Sequence, residues 1–388
     1  MLKIGIIGYG SRMSGFADLI LKFDPGTEIA AITDTNLEEV KRKLRERDIS
    51  DGKVMLYTDA DEMLEREQLD GVLIGTRCSL HTEMAIKVLK RGMPLFLEKP
   101  VATTLEDVIR LKQASEQYAH STVVSFPLRV STMVKLAKEI VDSGKLGTIE
   151  HVQAVNNVPY GAVAYFQLWY RDMRETGGLF LQKATHDFDY INSLLGLRPV
   201  SICAMHSKRV FIGDKPEGLA CKQCDEYETC PESPYSLKLF QADNDVFEES
   251  MCCFAPDAGN EDSGSALIRY ETGMHVSYSQ NFFVKKRAGS RGARLLGYKG
   301  TLEFDWYKDE IKVSMHHSSR VETYNMNSKG GGHGGGDDAL AYNFLQVMKG
   351  KEKSIAPLSA GLLSALMCLK AKTSAETATF QDIAYSGA

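Results

Sequence analysis

The opening residues, MLKIGIIGYG, limit the fold more than any other stretch of this chain. Residues 2–7 are a run of β-favouring apolar side chains, Gly8-Tyr9-Gly10 is a turn, and an amphipathic segment covers 12–22. That order predicts a buried strand, a tight turn and a helix. Such a unit opens a dinucleotide-binding domain, where glycines let the backbone approach a pyrophosphate held at the helix N-terminus. Two glycines after a strand are a weak signal alone, because many αβ units have such a turn. The next element sharpens it: residues 27–33 read as a second strand, and it ends at Asp34. An acidic residue there accepts hydrogen bonds from ribose hydroxyls and opposes the 2′-phosphate of NADP, so NAD is the expected cofactor. The third glycine of G-x-G-x-x-G falls at Met13, which puts close helix-to-strand packing in question, and Gly15 is the candidate to relieve it.

Alternation continues beyond Asp34. Residues 54–57, 71–75 and 94–97 read as short buried strands, with helical patterns at 62–67 and 81–91 between them. The charged stretch 37–48 reads as a solvated helix face. Strands alternating with helices predict a doubly wound parallel sheet whose ligands lie at the strand C-terminal ends, where Gly8, Asp34, Thr76 and Glu98-Lys99-Pro100 fall. At 388 residues the chain exceeds what one core usually supports, so two domains are expected, 1–125 and 126–388. A net charge of −5 gives no footprint for nucleic acid. No apolar run reaches the roughly 18 residues of a membrane span, and the first residues read as a strand rather than a signal segment, so a cytoplasmic protein is the expectation. Eight cysteines are too sparse for a disulfide scaffold.

The second half carries the chemistry. In GGLFLQKATHDFD, residues 177–189, a helical reading puts Lys183, His186 and Asp189 on one face at steps of three, where ionisable groups are costly unless paired or used. Upstream, residues 160–171 are rich in aromatics and end in a cation; Tyr165 and Arg171 are candidate sugar contacts, with plain core as the other reading. The run 330–337, GGGHGGGD, reads as a loop before a helix over 338–348, with His333 as a substrate contact or merely part of a linker. Cys221, Cys224 and Cys230 form C-x₂-C-x₅-C inside a polar stretch, 208–235, that reads as an insertion. Completed by Cys203, Cys252 or Cys253, they would suit a structural zinc; an iron–sulfur centre or no metal are the alternatives.

Taken together, the N-terminal unit, LEKPVATTLEDVIRL, SGKLGTIEHVQ, GGLFLQKATHDFDYINSLLG and GYKGTLEFD resemble the glucose-fructose oxidoreductase and inositol dehydrogenase family, Gfo/Idh/MocA, over nearly the whole chain. The resemblance implies an α/β protein: a Rossmann domain, then a C-terminal α/β domain with an open, largely antiparallel sheet that often mediates dimers or tetramers. It implies an NAD-dependent oxidoreductase acting on a sugar, polyol or cyclitol, with Lys99 catalytic. Many relatives have an aspartate where this chain has Gln182; here Lys183 precedes His186 by three.

The expected acid–base set is therefore Lys99, Lys183 and His186, with His186 as base, Lys99 polarising the substrate oxygen and Lys183 touching a neighbouring hydroxyl. For Lys183 the competing reading is snorkelling or pairing with Asp187 or Asp189, and for His186 a satisfied core histidine. The cofactor set is Gly8, Gly10, Ser11, Arg12, Asp34, Thr76, His81, Glu98 and Lys99. A glycoside-cleaving enzyme that oxidises its sugar transiently with bound NAD is the alternative activity. A non-catalytic nucleotide sensor is a third.

Overall fold

A computed structural model describes residues 1–49, 51–118, 121–237, 249–326 and 332–385. The chain forms two compact units, 1–135 with 328–366 and 385–388, and 136–327 with 367–384. The domains are therefore not the contiguous blocks the sequence suggests, because the chain returns to its first unit near the end. Apolar packing draws it back: Phe344 meets the edge of Phe96 at 5.8 Å, and Phe96 stacks on Phe16 at 3.8 Å.

In the first unit, β1 (Lys3–Ile7), α1 (Ser11–Phe23), β2 (Glu28–Thr33), α2 (Leu37–Glu46), β3 (Met55–Tyr57), α3 (Ala60–Arg66), β4 (Gly71–Ile74), α4 (His81–Lys90), β5 (Leu95–Leu97), α5 (Leu105–Gln117) and β6 (Thr122–Val124) alternate along the chain. The strands pair in parallel in the order β3-β2-β1-β4-β5-β6. β4, β5 and β6 are buried at every position, as a parallel sheet covered on both faces requires. Strand order reverses between β1 and β4, which opens the ligand crevice of such sheets at their C-terminal ends.

α6 (Thr132–Asp142) leads into β7 (Ile149–Asn157), and after α7 (Met173–Thr176) and α8 (Thr185–Leu195) come β8 (Pro199–Ser207), β9 (Ser263–Tyr270), β10 (His275–Asn281), β11 (Ser290–Gly297), β12 (Gly300–Asp305), β13 (Glu310–Met315), β14 (Val321–Asn325) and β15 (Gln381–Asp382). They form one sheet in the order β14-β13-β12-β11-β7-β10-β9-β8-β15, antiparallel except for β7 beside β10. Burial alternates along β9, so one face is covered and the other open. Asp187 of α8 fastens the covered face by bonding Asn156 of β7, Tyr278 of β10 and Arg291 of β11. Among the described residues no helix is long and apolar enough to cross a membrane.

Candidate active site

In the first unit, Gly8 has φ +85°, and a Cβ there would lie 2.8 Å from the backbone of Gly75 and Thr76. Only glycine fits this turn. Gly10 caps α1 without a side-chain hydrogen bond, Ser11 opens the helix, and a Cβ on Gly10 would meet nothing within 4 Å. Open space before unbonded helix N–H groups suits a pyrophosphate. Asp34 is organised by its neighbours: Tyr9 N–H donates to Oδ2 at 2.8 Å and Asn36 N–H to Oδ1 at 2.9 Å. Each oxygen keeps lone-pair capacity for a ribose hydroxyl.

Met13 is fully buried and solves its packing differently from the expectation. A Cβ on Gly75 would lie 2.8 Å from Met13 Cε and 3.0 Å from its Cβ, whereas Gly15 faces open space. The glycine missing from the helix is thus supplied at the end of β4, and Gly15 relieves nothing.

Arg12 enters an ionic network within this unit. It donates to Glu98 at 2.8 Å, to Ser125 at 3.0 Å and to Asp337 at 2.6 Å, and His333 Nδ1 lies 2.8 Å from the other oxygen of Asp337. Burial opposes the charge on Asp337, but hydrogen bonds from His333 and Arg12 hold it well below the usual carboxylate range. Arg12, Glu98 and His333, drawn from three distant stretches of sequence, therefore meet. Gly330 and Gly331 of the glycine run lie outside the described residues. His81 is 1% exposed, with Nδ1 2.7 Å from Pro100 O and Nε2 3.2 Å from Thr76 O. Burial pushes it below the ordinary histidine value, and it braces the β4 end against the turn that carries half-buried Lys99.

In the second unit, Gly177 ends α7 in the left-handed region at φ 74°. Gly178, at φ 97°, passes so close to Glu261 that a Cβ would lie 3.2 Å from its Oε2. Buried Glu261 accepts the Phe180 N–H at 2.8 Å, and residues 180–184 then form a π turn that runs into α8. The predicted continuous helix is broken here, since wider i→i+5 bonding interrupts the three-residue repeat. Single π turns of this kind are frequent at functional sites. Gln182 donates its amide to Thr176 O at 2.8 Å, inside the turn.

Lys183 is 7% exposed, and its Nζ donates to Tyr160 Oη at 3.0 Å. The ammonium lies over the rings of Tyr160 and Tyr165, 5.3 and 5.2 Å from their centroids. Burial, then the Arg291 guanidinium, pushes Lys183 down to about 7, with Asp187 acting the other way. Asp187 does not pair with Lys183: its Oδ1 binds Arg291 at 2.8 Å and its Oδ2 binds Asn156 and Tyr278, each at 2.8 Å. His186 is 8% exposed in the first turn of α8, and Asp189 is buried. A buried amine with a lowered pKa, bonded to the phenol of half-exposed Tyr160, is a pair able to transfer protons, and His186 follows the lysine by three residues.

Other candidates are placed elsewhere. Tyr165 packs in an apolar cluster with Phe166, Phe211 and Phe282, so its ring is floor under Lys183. Arg171 donates to Cys252 O at 3.1 Å and Asp257 at 2.8 Å. Cys221, Cys224, Cys230, Cys252 and Cys253 surround one cavity of about 20 Å³, while Cys203 belongs to β8. Zinc finds no support there: among the described residues no group of three or more His, Cys, Asp or Glu is arranged to hold a metal. Burial and then the neighbouring thiols push Cys221 up to about 12. Sequence reasoning missed Glu261 and Arg291, because nothing local to either residue signals its partner.

Comparison with known proteins agrees with this geometry. Residues 2–126 match the model of an oxidoreductase family with an NAD-binding Rossmann fold, GFO_IDH_MocA, and residues 134–303 match the GFO/IDH/MocA C-terminal domain. The Bacillus subtilis protein YteT is 26% identical over 72% of this chain and 73% of its own length. Myo-inositol 2-dehydrogenase of Thermotoga maritima is 28% identical over 50% of this chain and 55% of its own. Among solved structures, levoglucosan dehydrogenase in complex with NADH and levoglucosan shares the fold at TM-score 0.77, with 18% identity over 98% of this chain and 99% of that one.

Proposed function

This chain belongs to the Gfo/Idh/MocA oxidoreductase family and is an NAD(P)-dependent dehydrogenase, and we propose that it moves a hydride between NAD and a secondary alcohol of a sugar, polyol or cyclitol. The observation that carries this reading is Lys183, a buried amine pushed down to about 7 and bonded to a half-exposed phenol, in a chain whose other unit has the glycine turn and Asp34. Support for the substrate class comes from relatives named as inositol dehydrogenases and from the levoglucosan dehydrogenase structure.

NAD, when bound, supplies the hydride acceptor, and the remaining work falls to side chains. Gly8, Gly10, Ser11 and Thr76 line the pyrophosphate turn, and Asp34 receives the ribose hydroxyls and disfavours NADP. Arg12 and Glu98 hold the cofactor side of the Rossmann unit in shape, with His81 bracing Lys99. Lys99 polarises the reacting oxygen, while Lys183 and His186 handle its proton. Tyr165 and His333 are proposed to shape the sugar site, and Arg171 to support its wall. A homodimer or homotetramer in the cytoplasm is the proposed setting.

Absorbance at the reduced-nicotinamide band, followed with NAD and a panel of cyclitols and monosaccharides, tests this. Net NADH formation is expected, and His186→Ala should lower turnover by 10²-fold or more with NAD affinity held within a few-fold. Release of an aglycone from a glycoside with no net NADH would instead establish the elimination reading.

A further inference from the structure

The aromatic stretch before the Gly177-Gly178 turn does more than line a wall. Tyr160 lies 23 residues from Lys183 in sequence, yet the π turn brings the lysine Nζ to 3.0 Å from the tyrosine oxygen. The lysine is 7% exposed and the tyrosine 48%, so the pair links a buried amine to a half-exposed side chain. The charged groups that act on the amine are Arg291 of β11 and Asp187 of α8, and these two are locked to each other at 2.8 Å. Asp187 is therefore occupied, and Tyr160 is the lysine's hydrogen-bond partner in this arrangement.

We propose that Lys183 and Tyr160 form a proton-carrying pair beside His186, the lysine amine taking the substrate hydroxyl proton and the tyrosine hydroxyl passing a proton to water. The inference rests on the dehydrogenase reading above and adds to it a positioning residue, Tyr160, that acts through Lys183. In the oxidative direction the substrate C–H bond breaks with its electron pair going to the nicotinamide. The O–H electron pair stays to form the carbonyl, and the proton joins neutral Lys183 as ammonium. One N–H proton then moves to the Tyr160 oxygen as the phenolic proton leaves to water, which restores both groups.

Tyr160→Phe keeps the ring beneath the ammonium and removes only the oxygen. The hydroxyl accepts a hydrogen bond from the charged amine, so its loss disfavours the charged form and moves the lysine titration to lower pH. Two measurements test the pair. In steady-state oxidation, Tyr160→Phe should lower kcat by tenfold or more, leave the KM for NAD within twofold, and shift the acidic limb of the kcat profile to lower pH. Wild-type rates and profile in this variant would overturn the proposal. The second readout needs no turnover: reductive ¹³C-methylation followed by NMR titration, with Lys183→Met identifying the resonance. Titration near neutrality that falls in Tyr160→Phe supports the pair, and does so even if no polyol is oxidised, in which case only the dehydrogenase reading fails. Titration above pH 10 in the wild type would overturn the pair even in an active dehydrogenase.

Discussion

Lys183 has a cost in stability that its proposed role explains. Its ordinary value is 10.5, and in the folded chain it is pushed down to about 7, chiefly by burial. Between those values the unfolded chain binds the extra proton, so this group makes folding more favourable as pH rises from about 7 towards 10.5. Below about 7 both states carry the proton, and the full penalty, on the order of a few kcal/mol, remains. Lys183→Met should therefore abolish turnover yet raise the melting temperature at neutral pH and flatten its rise in the alkaline range. Calorimetry across that range checks it, and an unchanged slope would show that Lys183 titrates normally. The lysine was legible in the sequence as an ionisable group set among apolar neighbours. Its partner was not, because Tyr160 reads locally as one more ring in an aromatic run.

At the scale of elements, the telling substitution is Met13 where this turn usually has glycine. Space for the helix comes from Gly75, so Gly75→Ala should destabilise the first unit by about 1–3 kcal/mol through overpacking. Met13→Ala in that background should recover part of the loss, and urea unfolding of the two single variants and the double variant measures the coupling. In the second unit, α8 is pinned by Asp187, which is fully buried against Arg291. Asp187→Ala leaves a buried guanidinium without its ion partner and should cost about 3–5 kcal/mol in the same assay. The alternation of strands and helices in the first unit could be read from the sequence to within a residue or two at most ends, since buried parallel strands are plain apolar runs. The π turn could not, because a helix and a π turn share the same local pattern and Glu261, whose carboxylate receives the turn's N–H, is distant in sequence.

For the whole molecule, family membership and the two kinds of sheet were legible because the motifs are spread along the chain. The return of residues 332–366 to the first unit was not, since it shows only in contacts between distant stretches, such as Phe344 against Phe96 and Arg12 with Asp337. The open face of the nine-stranded sheet exposes Met205 at 76% and Leu267 at 51%, and the proposed homodimer would bury this apolar surface. Leu267→Glu should then shift the mass measured by light scattering to that of a smaller species without changing the fold seen by circular dichroism. Dehydrogenation requires that the hydrogen on the carbinol carbon leave as hydride. The most direct measurement supplies NAD and a cyclitol or sugar deuterated at that carbon and weighs the products. The prediction is deuterium on the nicotinamide ring of NADH in step with carbonyl product; product that forms while NAD stays unreduced and free of deuterium would contradict it.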